Sequence, residues 1–127
     1  MKLDRGFAVK VLNWCKRKYG KSRYNGSYPT ISYTKPDYML EDFSGYYEKD
    51  ENHIYVNNVM CNTVEETVNT IIHEYTHYLQ NMFHYQILAK YIDRTHHPME
   101  IEAERIAKRD SKKCIEDLVR LYGSFDN

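Results

Sequence analysis

Cysteine is scarce in this chain of 127 residues: Cys15, Cys61 and Cys114 are an odd, scattered set with no C-x-x-C pair. That speaks against a disulfide framework and fits a reducing, cytoplasmic compartment. Net charge is also missing. Lys+Arg 18 balance Asp+Glu 18, so no global field draws the chain toward nucleic acid or an anionic membrane. No apolar run approaches the roughly 18 residues that a membrane span requires. The opening Met1–Gly6 turns charged again at Lys10, which is unlike a secretory signal. Gly 5 and Pro 3 exclude a collagenous chain. Repeats, low-complexity tracts and dividing linkers are absent, so residues 1–127 read as a single domain. A hydrophobic content of 42% with mean hydropathy −0.77 describes a soluble globular protein, long enough to bury its own core.

What is abundant is tyrosine, with Tyr 13. Aromatic bodies extend a core while their hydroxyls find water or acceptors, so ordinary packing accounts for most of them and a tyrosine-lined cleft for the rest. Charge is uneven along the chain. Residues 1–24 hold eight Lys/Arg against one Asp. Lys16, Arg17 and Lys18 end a helix there, where the macrodipole favours cations. A solvated face is the plain account of this segment, and a phosphate-binding patch is the sharper one.

The element pattern is helix, strands, then helices, an α+β architecture. Asp4 is placed to cap a helix to Tyr19, with Phe7, Val11, Leu12 and Cys15 at helical spacing and Gly20 behind it. Short alternating runs at Thr30–Thr34, Tyr38–Leu40 continuing to Gly45–Tyr47, and His53–Asn57 predict a small, mostly three-stranded sheet, with a hairpin turn over 48–52. Thr63 and Glu66 form a capping box for a long amphipathic helix to about Met82. Residues 86–93 are expected to be helical, 95–97 to break the pattern, and Pro98 to open a final helix ending at Tyr122 before Gly123.

Inside the long predicted helix stands His73-Glu74-Tyr75-Thr76-His77, an H-E-x-x-H pattern. Residues i and i+4 share a helical face, so both imidazoles can reach one zinc ion while the glutamate leans toward the water bound there. With six His and ten Glu in the chain, chance supplies roughly 0.02 such patterns. A catalytic zinc requires a third ligand and an open position. The metzincin pattern is excluded, because Gln80 and Phe83 stand where its glycine and third histidine belong and His84 misses by one. The remaining route is a glutamate on a later helix, where Glu100, Glu102 and Glu104 are available.

At this point the chain resembles the gluzincins, and more closely the very small single-domain members called minigluzincins. It also looks like the cytoplasmic regulatory metallopeptidases that cut phage-type repressors. Their second motif is a glutamate, a small residue three positions on and an acidic or amide residue four positions on, which Glu100, Ala103 and Glu104 match. The resemblance covers about residues 28–110. It implies a zincin-like fold, one Zn2+ per chain on His73, His77 and Glu100, and Glu74 as general base. It further implies that His53 to Asn57 is the edge strand, with His53, Ile54, Tyr55 and Val56 holding an extended peptide substrate by main-chain pairing. Helical geometry puts Glu100 and Glu104 on one face, so Glu104 is expected to accept the N–H of a ligating imidazole, with Glu102 solvated or paired to Arg105 or Lys108.

The chain departs from its relatives as well. It carries no helix-turn-helix module and no four-cysteine zinc ribbon, and it has glutamate at 104 where aspartate or asparagine is usual. No single residue matches the family's transition-state His or Tyr: Tyr46, Tyr47, Tyr55, His84, Tyr85, His96 and His97 all qualify by type. Cys61, near the start of the long helix, is a candidate redox-sensitive thiol or a buried inert one. The leading expectation is therefore a zinc-dependent peptidase in the cytoplasm, acting on peptide or protein substrates with no membrane partner. A latent or regulatory binding module on the same scaffold is the alternative. A nucleic-acid-associated protein using residues 1–24 is a third.

Overall fold

The computed structural model describes residues 1–37 and 42–125. Helix α1 (Arg5–Tyr19) is followed by strands β1 (Thr30–Thr34), β2 (Gly45–Glu48) and β3 (His53–Asn57). Helices α2 (Val64–Leu79), α3 (Met82–Leu88) and α4 (Pro98–Tyr122) complete the chain, with a 3₁₀ turn at Arg94–His96 before α4. The fold is α+β, with four helices and a three-stranded sheet among the described residues. The expected strand at Tyr38–Leu40 lies outside the described residues. Among the described residues no helix is long and apolar enough to cross a membrane.

Local chemistry sets the helix ends. Asp4 accepts from the Phe7 N–H at 2.9 Å and Thr63 from the Glu66 N–H at 3.2 Å, each satisfying a donor that has no partner inside its helix. Helix α1 ends on Gly20 at φ 79°, a conformation that glycine adopts without strain. Helix α2 stops at Leu79, short of Met82, because Gln80 leaves the helical region at φ −83°, ψ 160°. Asn81 then caps a new helix by accepting from the N–H groups of Phe83 and His84. The middle helix accordingly begins four residues earlier than the apolar pattern indicates and gives way to turns before Asp93.

The sheet corrects one sequence expectation. Its strand order is β1-β3-β2: β1 pairs with β3 in parallel and β2 pairs with β3 antiparallel. His53–Asn57 is thus the central strand, its backbone engaged on both sides, and His53, Ile54, Tyr55 and Val56 cannot offer main-chain groups to a substrate. The physical reason is the crossover. The turn over 49–52 sends β3 back between its two predecessors, an arrangement to which period-two patterning is blind. Strand β2 is left at the edge beside the site.

Helix α2 runs through the middle of the molecule. Val68, Ile71, Ile72, Tyr75 and Tyr78 are buried on it, against Phe7, Val11 and Cys15 of α1, Ile31 and Tyr33 of β1, and Ile54 and Val56 of β3. Ala103, Ala107, Cys114 and Leu118 form the buried stripe of α4. Core tyrosines keep their hydroxyls bonded: Tyr33 donates to the Cys61 carbonyl at 2.6 Å and Tyr78 to the Ser27 carbonyl at 2.8 Å. All three cysteines are buried and unpaired with one another, and burial pushes the Cys61 thiol up, away from reactivity. Residues 1–24 keep their basic side chains largely on the surface, with Lys16 and Lys21 both held over the Tyr28 ring.

Candidate metal centre

His73 and His77 lie one turn apart on α2 and face Glu100 in the first turn of α4. The Nε2 atoms of both imidazoles meet the same carboxylate oxygen, Glu100 Oε1, at 2.9 and 3.0 Å. The three donor atoms lie within 4.8 Å of one another. Close helix packing makes this possible. Ala103 and Ala107 put almost no side chain between α4 and α2, so the backbone carrying Glu100 comes near enough for its carboxylate to reach both rings.

The protonation chemistry of the cluster points to a cation. Gln80 donates through Nε2 to the Met99 carbonyl at 2.9 Å and to Glu102 at 3.0 Å, which identifies its other amide atom as the carbonyl oxygen. That oxygen is 2.7 Å from His77 Nδ1, which must therefore carry the proton. A neutral His77 then aims the Nε2 lone pair at an anionic oxygen. Two acceptors in contact are repulsive until a proton or a metal ion stands between them. The shifts register the same convergence. Burial acts against the charged form of both groups. For His77 the Glu100 hydrogen bond and the charge of Glu74 outweigh burial and raise the imidazole above its ordinary value. For Glu100 the hydrogen bonds from His73 and His77 outweigh it and hold the carboxyl well below the usual range. Two imidazoles and one carboxylate match the donor set that zinc takes in catalytic sites.

Glu74 is 6% exposed and stands beside the cluster without joining it. Burial pushes its carboxyl above the ordinary value, while His77 and His73 oppose the rise and Glu100 adds to it. No described side chain hydrogen-bonds its carboxylate. It lines two adjoining cavities, one with Ser44, Asn69 and Arg94 and another, of about 220 Å³, with Tyr46, Met82, Tyr85 and Arg94. A buried carboxylate that lines two cavities, next to a group able to hold a cation, is placed to take and return a proton.

Among the seven tyrosines and histidines that qualify by type, Tyr85 reaches the cluster, because α3 starts early enough to bring it there. Its hydroxyl donates to Glu100 Oε2, its ring packs edge-on to His77 at 5.4 Å, and its other face stacks on His97 at 4.0 Å. Tyr46 and Tyr47 line the cavity, but their hydroxyls bond to Glu48 and Asn52. Tyr55 bonds Glu51, His96 bonds Asp93, and His84 is exposed. His97 is buried and structural, capping α4 and meeting the Tyr85 carbonyl at 3.0 Å.

Glu104 does not take the part expected of it. The buried stripe of α4 runs through 103, 107, 110, 114 and 118, and Glu100 sits at one margin of it. A further turn of about 40° per four residues carries Glu104 beyond that margin into solvent. The imidazole N–H of His77 is instead held by Gln80, which in turn is held by Glu102, the carboxylate expected to be free of the site. Sequence reading passed over Gln80 and Arg94. Gln80, three residues past the second histidine, carries an amide that can serve donor and acceptor together; no local signal marks Arg94. No protein-family model matches the sequence, and no match is found among curated proteins or solved structures.

Proposed function

We propose that this chain is a zinc-dependent peptidase of the gluzincin type, a zincin-like fold reduced to one domain. The observation that carries the reading is the meeting of two imidazole Nε2 atoms on one carboxylate oxygen, with Glu74 beside them in an open cleft. His73, His77 and Glu100 would hold the ion. Zinc bound there supplies Lewis acidity, which polarises a scissile carbonyl and acidifies the attacking water. Glu74 takes the proton of that water and delivers it to the leaving amine nitrogen. Tyr85 fixes the second oxygen of Glu100 and thereby presents the first to the histidines. Gln80 keeps His77 in the tautomer whose Nε2 is free to bind. Strand β2, in place of β3, has an edge left unpaired among the described residues for an extended peptide, and contributes Gly45, Tyr46 and Tyr47 to the cleft wall. Three buried thiols with no disulfide support a cytoplasmic setting.

The test is elemental analysis of the purified protein together with hydrolysis of casein and of a mixed peptide pool. One zinc per chain is expected in wild type and in Glu74→Gln. Hydrolysis is expected in wild type alone, with a loss of about 10²–10⁴ for the variant. Metal-free protein after zinc-replete purification, or variant activity within about tenfold of wild type, defeats the proposal. Zinc-loaded protein that binds peptides without cutting them would make the chain a binding module.

A further inference from the structure

The cleft contains one cation that the peptidase chemistry above does not use. Arg94 sits on the 3₁₀ turn just before α4. Its backbone is set firmly: Asp93 caps the turn through the His96 N–H at 3.0 Å, and the His97 N–H bonds the Arg94 carbonyl at 3.3 Å. The guanidinium carbon lies 5.7 Å from the centre of the Phe43 ring, within cation–π reach, and Phe43 is itself tied down by Asn57 Nδ2, which donates to its carbonyl at 3.0 Å. Arg94 is thus a positioned side chain on the rim, although 58% of it is exposed. Among the described residues its nearest anion is Glu100 Oε1, at 3.6 Å from Nη2, which is an ion pair and not a hydrogen bond. Among the described residues none accepts a hydrogen bond from the five N–H groups of this guanidinium. A planar guanidinium whose donors meet no acceptor among the described residues is matched to a carboxylate, which it can take with two parallel bonds.

We infer that Arg94 recognises a carboxylate of the substrate on the residue next to the scissile bond, so that the preferred substrates are peptides acidic at that position. The inference rests on the peptidase reading and narrows its substrate class. Proximity sets the position. Arg94 Nη2 is 3.6 Å from the oxygen on which the two histidines converge, whereas an extended residue spans about 3.3–3.6 Å. An acid further along the peptide passes beyond its reach. Charge sets the side. Glu74 lines both cavities that Arg94 lines, so it does not distinguish them. One adds Asp42, a carboxylate outside the histidine cluster that repels an incoming one. The other, walled by Tyr46, Tyr47, Met82, Tyr85 and Gln86, adds Glu100, whose charge the bound ion would offset. The carboxylate therefore lies in the tyrosine-lined cavity. It has two sources: the free C-terminus of a peptide cut one residue from its end, or the side chain of an Asp or Glu within a longer peptide.

Four N-dansylated peptides separate them. Two differ only in ending, beyond the scissile bond, in one residue with a free carboxylate or with an amide; two longer amidated peptides carry Glu or Gln at that position. Turnover is measured with the zinc-loaded full chain, and binding by anisotropy with zinc-loaded Glu74→Gln. At least one carboxylate peptide is expected to bind and turn over about tenfold to a hundredfold better than its uncharged twin. Adding Arg94→Gln, with zinc content verified, brings that ratio to within about twofold of unity, and Arg94→Lys retains part of it. Preference confined to the free C-terminus identifies removal of single terminal residues; preference for Glu identifies internal cleavage. A wild-type ratio near one in both pairs, or a ratio that survives Arg94→Gln, overturns the inference. If no peptide is hydrolysed yet Arg94-dependent binding persists, the peptidase reading fails and carboxylate recognition stands.

Discussion

Replacing Gln80 with methionine keeps the length and most of the volume of the side chain and removes only its polarity. Gln80 is 8% exposed and makes three hydrogen bonds, to His77 Nδ1 at 2.7 Å, the Met99 carbonyl at 2.9 Å and Glu102 at 3.0 Å. In Gln80→Met the His77 N–H loses its acceptor in a buried setting, and the proton is no longer held on Nδ1. A neutral imidazole that moves its proton to Nε2 cannot bind a metal through that atom. Outer hydrogen-bond partners of metal-ligating histidines are typically worth about 10–100-fold in affinity, which is about 1.4–2.8 kcal/mol. Competition against a chromophoric chelator at neutral pH reads this directly. Circular dichroism checks that α2 and α4 remain folded. Zinc affinity of Gln80→Met within about twofold of wild type would refute the assignment of Gln80 as the residue that sets the tautomer, since even the lower bound of that range is about tenfold.

Glu100→Gln is expected to abolish stoichiometric zinc binding and Glu104→Gln to leave it unchanged, as measured by metal content after dialysis; equal losses would remove the distinction drawn between them. Gly45→Ala places a Cβ 2.5 Å from Thr70 Cγ2 and 3.0 Å from the Tyr55 carbonyl. Denaturant titration should show a loss of about 1–3 kcal/mol, together with reduced turnover, because the same Cβ presses on Glu74 at 3.3 Å. Asp110 is held below its ordinary value by the Arg109 hydrogen bond and the Tyr19 hydroxyl, against the opposing effect of burial. A lowered carboxyl contributes stability above its unfolded pKa that is lost as the pH falls. Asp110→Asn should therefore cost about 1–3 kcal/mol at neutral pH. That difference should shrink as the pH drops below about 4, and a difference that persists in acid would contradict the ionic account.

Local repetition was readable in the sequence. The two histidines and the glutamate of the H-E-x-x-H segment depend only on 3.6 residues per turn, and the caps at Asp4 and Thr63 involve residues three apart, so neighbouring sequence determines them. The helices holding these features, the strands' buried alternation at Ile31, Tyr33, Ile54 and Val56, and the α+β order follow from the same short-range rules. The carboxylate that joins the two histidines was legible as a residue type on the right helix. That Glu100 meets both imidazoles depends on the packing of α4 against α2 through Ala103 and Ala107, and the same rotation of α4 leaves Glu104 in solvent. Strand order belongs to the tertiary structure alone: β3 is central because the chain folds back between β1 and β2, and main-chain hydrogen bonds are indifferent to side-chain pattern. Tyr85, Gln80 and Arg94 arrive at the centre from a helix, a helix end and a turn whose positions relative to His77 are set over long range. A single residue's neighbours in sequence determine its backbone, whereas its partners across a cleft are determined by which apolar faces bury one another.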